Sequence, residues 1–396
     1  MERGVTPPAI ADDRQDSVLD LLNRLLSVPS EQTALMEREP AVTNFIADVV
    51  APLVRAAGLD PVLDDMGNLT AQIGSGEAPR RFLLTYAMTH AAAGMTDAYT
   101  PEVQDGAEYG ISGPVVRGRG ACEQKGALAA ALDALRLLAS AKSPSNGTFI
   151  FACCTAGETG THDAARRVLD RLPADIAEAV VAVGTDGDVC AGNKGRIDVT
   201  VTVRGRASHS SSPGRGLNAI VGAVRVLQCL ASMRTEPPDR WLGEPTVTPT
   251  SVHTWPDATH TVQDTAVLTI DRRLVGSVSA DEAVAGVRQA IGDLSPFGLD
   301  VAAGPFMYPA RLAPGHPLVT SFSAVVERVR HERPAIVYSS ASADAGLLNH
   351  AGIPCISYGP GSVRLAHTND DVVSLRQVAE ASQVLASWAR GQDGGN

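Results

Sequence analysis

"GRIDVTVTVRG", residues 195–205, decides how the chain is divided. Ile197, Val199, Val201 and Val203 alternate with Asp198, Thr200, Thr202 and Arg204. A period of two belongs to a strand with one face in a core and the other in water. The strands before it read differently. "RFLLTYAM" (81–88) and "GTFIFACC" (147–154) are unbroken apolar runs, as in strands covered on both faces. Between them "KGALAAALDALRLLASA" (125–141), rich in Ala and Leu, predicts a helix. Helical spacing also covers 16–26 and 41–57, and "AEAVVAVGTD" (177–186) predicts a third buried strand.

Downstream of residue 205 come a helix (216–233), strands at 246–255 and 265–275, a helix at 281–291 and a strand at 298–304. The order β-α-β-β-α-β is that of a ferredoxin-like α+β sandwich, here over roughly residues 195–308. After it, "PLVTSFSAVVERVR", "AGIPCISYGPG" and a terminal helix return to the earlier strand–helix texture. The sequence therefore predicts an α/β chain of two domains. A larger strand–helix domain (1–194 and 309–396), its sheet covered on both faces, is interrupted by an inserted domain (195–308).

The 396 residues exceed one ordinary core, in keeping with two domains. A net charge of −11 without basic runs argues against nucleic acid or an anionic membrane as partner. No stretch has the length of a membrane span, and "MERGVTPPAIADDRQD" lacks the apolar centre of a signal peptide. Six cysteines, two of them adjacent (Cys153 and Cys154), do not make a disulfide framework. The expectation is a reduced, cytoplasmic protein.

Five loops at strand ends carry His, Asp or Glu, where α/β proteins place their sites. They are "MTHAAAG" (88–94), "RGRGACEQKG" (117–126), "TAGETG" (155–160), "GTDGD" (184–188) and "GPGSVRLAHTNDD" (359–371). Each alone has a structural reading: Glu123 and Asp186 as capping or turn residues, His367 and Asp370 as a surface turn. Five together are harder to explain that way.

Three long stretches carry a family resemblance: "RGRGACEQKGALAAAL", "GNKGRIDVTVTVRGRASHSSSPGRGLNAI" and "GIPCISYGPGSVRLAHTNDDV". They resemble the co-catalytic zinc aminoacylase/carboxypeptidase family, which includes acetylornithine deacetylase, succinyl-diaminopimelate desuccinylase and glutamate carboxypeptidase. The resemblance runs from about residue 16 to residue 388. It implies a zinc-peptidase-like mixed-sheet catalytic domain with an inserted lid and dimerisation domain. It also implies two zinc ions that share a bridging carboxylate and activate a water against an amide. A glutamate takes the water's proton, a lid histidine from the dimer partner stabilises the oxyanion, and a lid arginine grips the substrate carboxylate.

Carried over residue by residue, the resemblance puts Met88 where the first metal-binding His belongs and His90 where its Asp belongs. Thioether suits softer ions than zinc. Glu123 stands for the bridging Asp. The Glu-Glu pair becomes Gly157–Glu158, leaving Glu158 as ligand and no general base. Asp186, with slippage to Asp188, and His367 match the remaining ligands. Glu123, His90 and Cys122 are the local groups that could take the lost base's proton, with Cys122 read as packing. In the lid, His209 matches the oxyanion His, Asn218 the Asn after it, and Arg273 (or its neighbour Arg272) the carboxylate grip. His260 stands where an Asn is usual. The Gly359–Pro360–Gly361 turn offers backbone N–H groups to a carboxylate.

The reading is a metal-dependent hydrolase of an amide or other C–N bond in a small carboxylate-bearing molecule. It would act as a homodimer through the lid, with one or two divalent ions per subunit (zinc, or manganese or magnesium) or none. Two alternatives stand beside it. One is a non-hydrolytic reaction such as a lyase, cyclisation, isomerisation or amide-forming step; the other is a binding protein without catalysis.

Overall fold

The computed structural model describes residues 12–74, 77, 79–92, 94–141, 147–157 and 159–391. The chain forms two compact units. The larger runs to Gly192 and takes in Ala310–Tyr338 and the chain from Leu347; the smaller comprises Asn193–Pro309 and Ser339–Gly346. The sequence reading assigned only 195–308 to an inserted unit. Ser339–Gly346 carries no periodic pattern that could have marked it.

The large unit is built on a nine-stranded mixed sheet. At its centre Thr148–Cys154, Arg80–Tyr86, Ile176–Val181 and Cys355–Ser357 lie side by side and parallel. Leu69–Gly74 pairs antiparallel on one side, and Val189–Asn193 antiparallel on the other. Every residue of Thr148–Cys154 is buried, as expected of a strand covered on both faces. Helix Gly126–Ala139 packs between Asp12–Leu26 and Leu375–Ala389 and is buried around most of its circumference. The predicted helix over 41–57 is interrupted by a π turn, Ile46–Val50. Pro52 follows it and cannot donate the backbone bond a regular α-turn needs there. The predicted strand at 177–186 ends at Val181; the rest is the loop that carries Asp186.

The small unit is a four-stranded antiparallel sheet in the order Thr246–Trp255, Thr265–Leu274, Gly195–Arg204, Gly298–Met307. Its helices are Ala219–Ala231 and Ala280–Ile291. Gly195–Arg204 buries every second side chain, as its period-two sequence predicts. The apolar face joins Val199, Val201 and Val203 to Leu268 and Ile270 and to Ala223, Val226 and Val287 from the helices. Ser279 and Glu282 form a reciprocal capping box that starts the second helix. This is the ferredoxin-like arrangement. Among the described residues no helix is long and apolar enough to cross a membrane. Among the described residues no cysteine is joined in a disulfide.

Candidate active site

The glycine-rich loop is shaped by close approach. Gly120 has φ +86°, and a Cβ there would sit 2.4 Å from Cγ2 of Thr89. Gly361 has φ +87°, and a Cβ there would sit 2.2 Å from the carbonyl oxygen of Cys122. Only glycine fits either position. A π turn, Ala121–Lys125, then leads into helix Gly126–Ala139 and carries Glu123. Cys122 is wholly buried, and burial first of all pushes its thiol well up, which disfavours the thiolate.

Glu123 and His367 meet. His367 Nε2 lies 3.0 Å from Glu123 Oε2. His367 has φ +62°, an uncommon backbone state outside glycine that is concentrated at functional positions. His90 stacks on it, with ring centroids 3.9 Å apart and planes within 5°. Burial, followed by the charges of His367 and Arg119, lowers the pKa of His90, which favours its neutral ring.

Asp371 joins the two loops. It is 2% exposed, and its carboxylate accepts from the N–H of Gly120 (2.6 Å), the N–H of Cys122 (2.9 Å) and Arg119 Nη1 (3.1 Å). Burial raises its pKa, and those donors pull in the opposite direction.

The two departures from the family pattern also meet. Met88 is wholly buried. A Cβ on Gly157 would lie 3.0 Å from the carbonyl oxygen of Met88 and 3.2 Å from Cβ of Tyr86. Glu158 lies outside the described residues.

Asp186, with φ +61°, accepts from Gln377 Nε2 at 3.0 Å and borders a polar cleft of about 550 Å³ that Arg330, Arg364 and Gln377 also line. Asp188 accepts from the N–H of Ala335 at 2.9 Å. The N–H of Gly359 donates to Thr185 Oγ1 (3.1 Å) and that of Gly361 to Gln377 Oε1 (3.2 Å). The two backbone donors expected to meet a substrate carboxylate are thus engaged inside the protein.

The small unit carries the other candidates. Ser208–His209 pairs with Thr261–Val262. His209 Nδ1 accepts from the N–H of Ser211 at 3.2 Å, so in the neutral ring the proton sits on Nε2. The His260 ring lies 6.1 Å from that of His209. Asn218 caps helix Ala219–Ala231, its Oδ1 accepting from the N–H of Ile220 at 3.0 Å. Arg272 and Arg273 point to opposite faces of their strand, as neighbours in a strand must. Arg272 is 3% exposed, paired with Glu236 (2.9 Å) and bonded to the carbonyl of Ala283 (2.7 Å). Arg273 is half-buried and forks onto Asp271 at 2.9 and 3.2 Å. Of the two, Arg273 is the one available to a ligand.

Asp371, Arg119, Gln377 and Asp271 were not singled out in the sequence. Asp371 stands four residues after His367, yet nothing in "HTNDD" distinguishes it from Asp370.

Among the described residues, no group of three or more His, Cys, Asp or Glu is placed to hold a metal ion. An ion bound by imidazole lies near the ring plane. With His90 and His367 face to face, one ion cannot lie in both planes. The two rings could therefore serve only different ions, and no described set of three ligands is gathered around either one. The described residues that could hold an ion are Glu123 and His367.

The family model for peptidase family M20/M25/M40 matches residues 92–391. The chain is 25% identical to a succinyl-diaminopimelate desuccinylase of Methylorubrum extorquens, over 94% of this chain and 97% of that protein. It is 24% identical to an acetylornithine deacetylase of Yersinia pseudotuberculosis, over 93% and 95%. Its fold is similar to that of an M20 family metallo-carboxypeptidase from Sulfolobus solfataricus, with a TM-score of 0.77 and 15% identity over 94% of this chain and 98% of that one. The chain belongs to peptidase family M20/M25/M40 and is a hydrolase of the peptidase and deacylase class, in a family whose members are metal-dependent.

Proposed function

We propose that the protein hydrolyses an amide or related C–N bond in a small carboxylate-bearing molecule, at a rebuilt centre made by Glu123 and His367. The 3.0 Å contact between these side chains carries the proposal. A carboxylate bonded to an imidazole can take a proton from water and pass it on. His90, its pKa lowered and its ring stacked on His367, is a second acceptor in the same loops. The role proposed for His209 is oxyanion donor through Nε2–H, and for Arg273 a two-pronged hold on the substrate carboxylate. Asn218 and His260 are proposed substrate contacts. Where an ion binds, Glu123 and His367 would hold it in place of their mutual hydrogen bond, one per subunit at most, and His90 is then the proposed proton acceptor.

The test is turnover of a panel of N-acyl amino acids and dipeptides by purified wild type, Glu123→Gln and His367→Ala. The account expects losses of about 10²–10⁴ in rate for each variant. Unchanged turnover would remove both residues from the chemistry.

One observation favours a second reading. The Met88 carbonyl crowds Gly157, the position the resemblance gives to the general base, and the second reading replaces that base's water activation with a non-hydrolytic step on the same substrate class. Product oxygen traced with ¹⁸O-labelled water separates the two, because only hydrolysis incorporates the label.

A homodimer through the small unit is proposed as well. Its strand Thr246–Trp255 is a sheet edge with mostly exposed side chains, and Ile220, Val221 and Val224 are exposed on the adjoining helix. A monomer at micromolar concentration in sedimentation would count against it.

A further inference from the structure

Glu123 and His367 are 244 residues apart in sequence, and neither reaches the other on its own local structure. The chain around each is sewn together at one point. Asp371 receives the N–H groups of Gly120 and Cys122, the residues that open the π turn bearing Glu123. Arg119 is 1% exposed; one arm of its guanidinium holds Asp371 (3.1 Å), and the other donates to the carbonyl of Thr368 (3.0 Å), the residue next to His367. The N–H of Gly118 adds a bond to the carbonyl of Asp371 at 3.0 Å. The strands Pro114–Arg117 and Val372–Ser374 continue the seam as an antiparallel pair.

We propose that Asp371 and Arg119 are the positioning residues of the site: together they set the Glu123–His367 contact, and neither touches the reacting atoms. A buried carboxylate tolerates its position only when its acceptor sites are filled. Here the donors that fill them belong to the glycine-rich loop. Moving Asp371 therefore moves the turn that carries Glu123. The fork of Arg119 fixes both ends at once, a geometry that a lysine's single ammonium does not reproduce.

The proposal can be tested without any substrate, so its failure is distinguishable from failure of the proposed reaction. The readout is the ¹⁵N shift of His367 Nε2 at fixed pH, in wild type, Asp371→Asn, Arg119→Lys and Glu123→Gln. The expected result is that Asp371→Asn and Arg119→Lys each move the His367 signal toward its position in Glu123→Gln, with the signal of His253 unmoved. A double variant, Asp371→Asn with Glu123→Gln, should move His367 no further than Glu123→Gln alone. A merely structural role predicts additive shifts in the double variant, and that result would overturn the proposal. So would an unmoved His367 signal in either single variant. If Asp371→Asn does not fold, Arg119→Lys, alone and combined with Glu123→Gln, decides by the same comparison.

Discussion

A Cβ on Gly157 would lie 3.0 Å from the carbonyl oxygen of Met88. Gly157 and Met88, which the family resemblance places at the general base and at the first metal-binding histidine, thus adjoin with no room for a side chain between them. At Gly157 the backbone φ is +158° and the flanking atoms belong to backbone and to Tyr86 Cβ, neither of which can swing aside like the end of a long side chain. The two substitutions form one altered corner of the site.

It follows that restoring the carboxylate will not restore the family's chemistry. Gly157→Glu should lower stability by about 1–3 kcal/mol through backbone strain and crowding, and should leave the rate no higher than wild type. Thermal unfolding and turnover of the same preparation check both. A gain of about 10²-fold or more would show that the corner still accepts a general base.

The two neighbouring arginines should respond differently to removal. Arg272 is buried and paired with Glu236, so Arg272→Ala leaves a carboxylate without its partner and should cost about 3 kcal/mol, read as a lowered Tm. Arg273 is half-buried and its partner Asp271 keeps a second cation, Arg196, at 3.2 Å. Arg273→Ala should leave Tm nearly unchanged while raising KM for a carboxylate substrate by about tenfold or more. The reverse pattern would transfer the binding role to Arg272.

His90 gives the pH dependence. Its folded-state pKa lies below the ordinary 6.5, first because of burial. The neutral ring is therefore favoured in the fold: the stabilisation linked to it is present above 6.5 and is lost as pH falls through the lowered folded value. If the ring also accepts a proton in the reaction, the rate falls over that same acidic window. An NMR titration of the His90 ring should show a midpoint below 6.5, and His90→Gln should lose the acid limb of the rate profile. A midpoint above 7 would contradict the burial argument.

The alternation of Gly195–Arg204 and the apolar runs around Phe82 and Phe151 made the two-unit architecture readable, because strand period and burial are written directly in residue order. Glu123, His90 and His367 were singled out by strand-end loops and by the family resemblance, and the structure brings the three side chains together. Asp371 was not: an aspartate that gathers two backbone N–H groups and a guanidinium looks, in sequence, like its exposed neighbour Asp370. The backbone donors at Gly359 and Gly361 were expected to face a ligand. Their actual acceptors, Thr185 and Gln377, come from distant parts of the chain that local pattern cannot connect. The membership of Ser339–Gly346 in the small unit is likewise a long-range fact with no local sign.

The central claim is that Glu123 and His367 form the reacting pair in place of a two-ion centre. The most direct measurement is the metal content of the purified, tag-free protein by elemental mass spectrometry, expressed per chain after incubation with zinc, manganese and magnesium in turn. The account predicts one ion or none, with any bound ion lost in Glu123→Gln and in His367→Ala. Two ions per chain, retained through gel filtration, would contradict it: the family's full centre would then be assembled despite Met88 and Gly157.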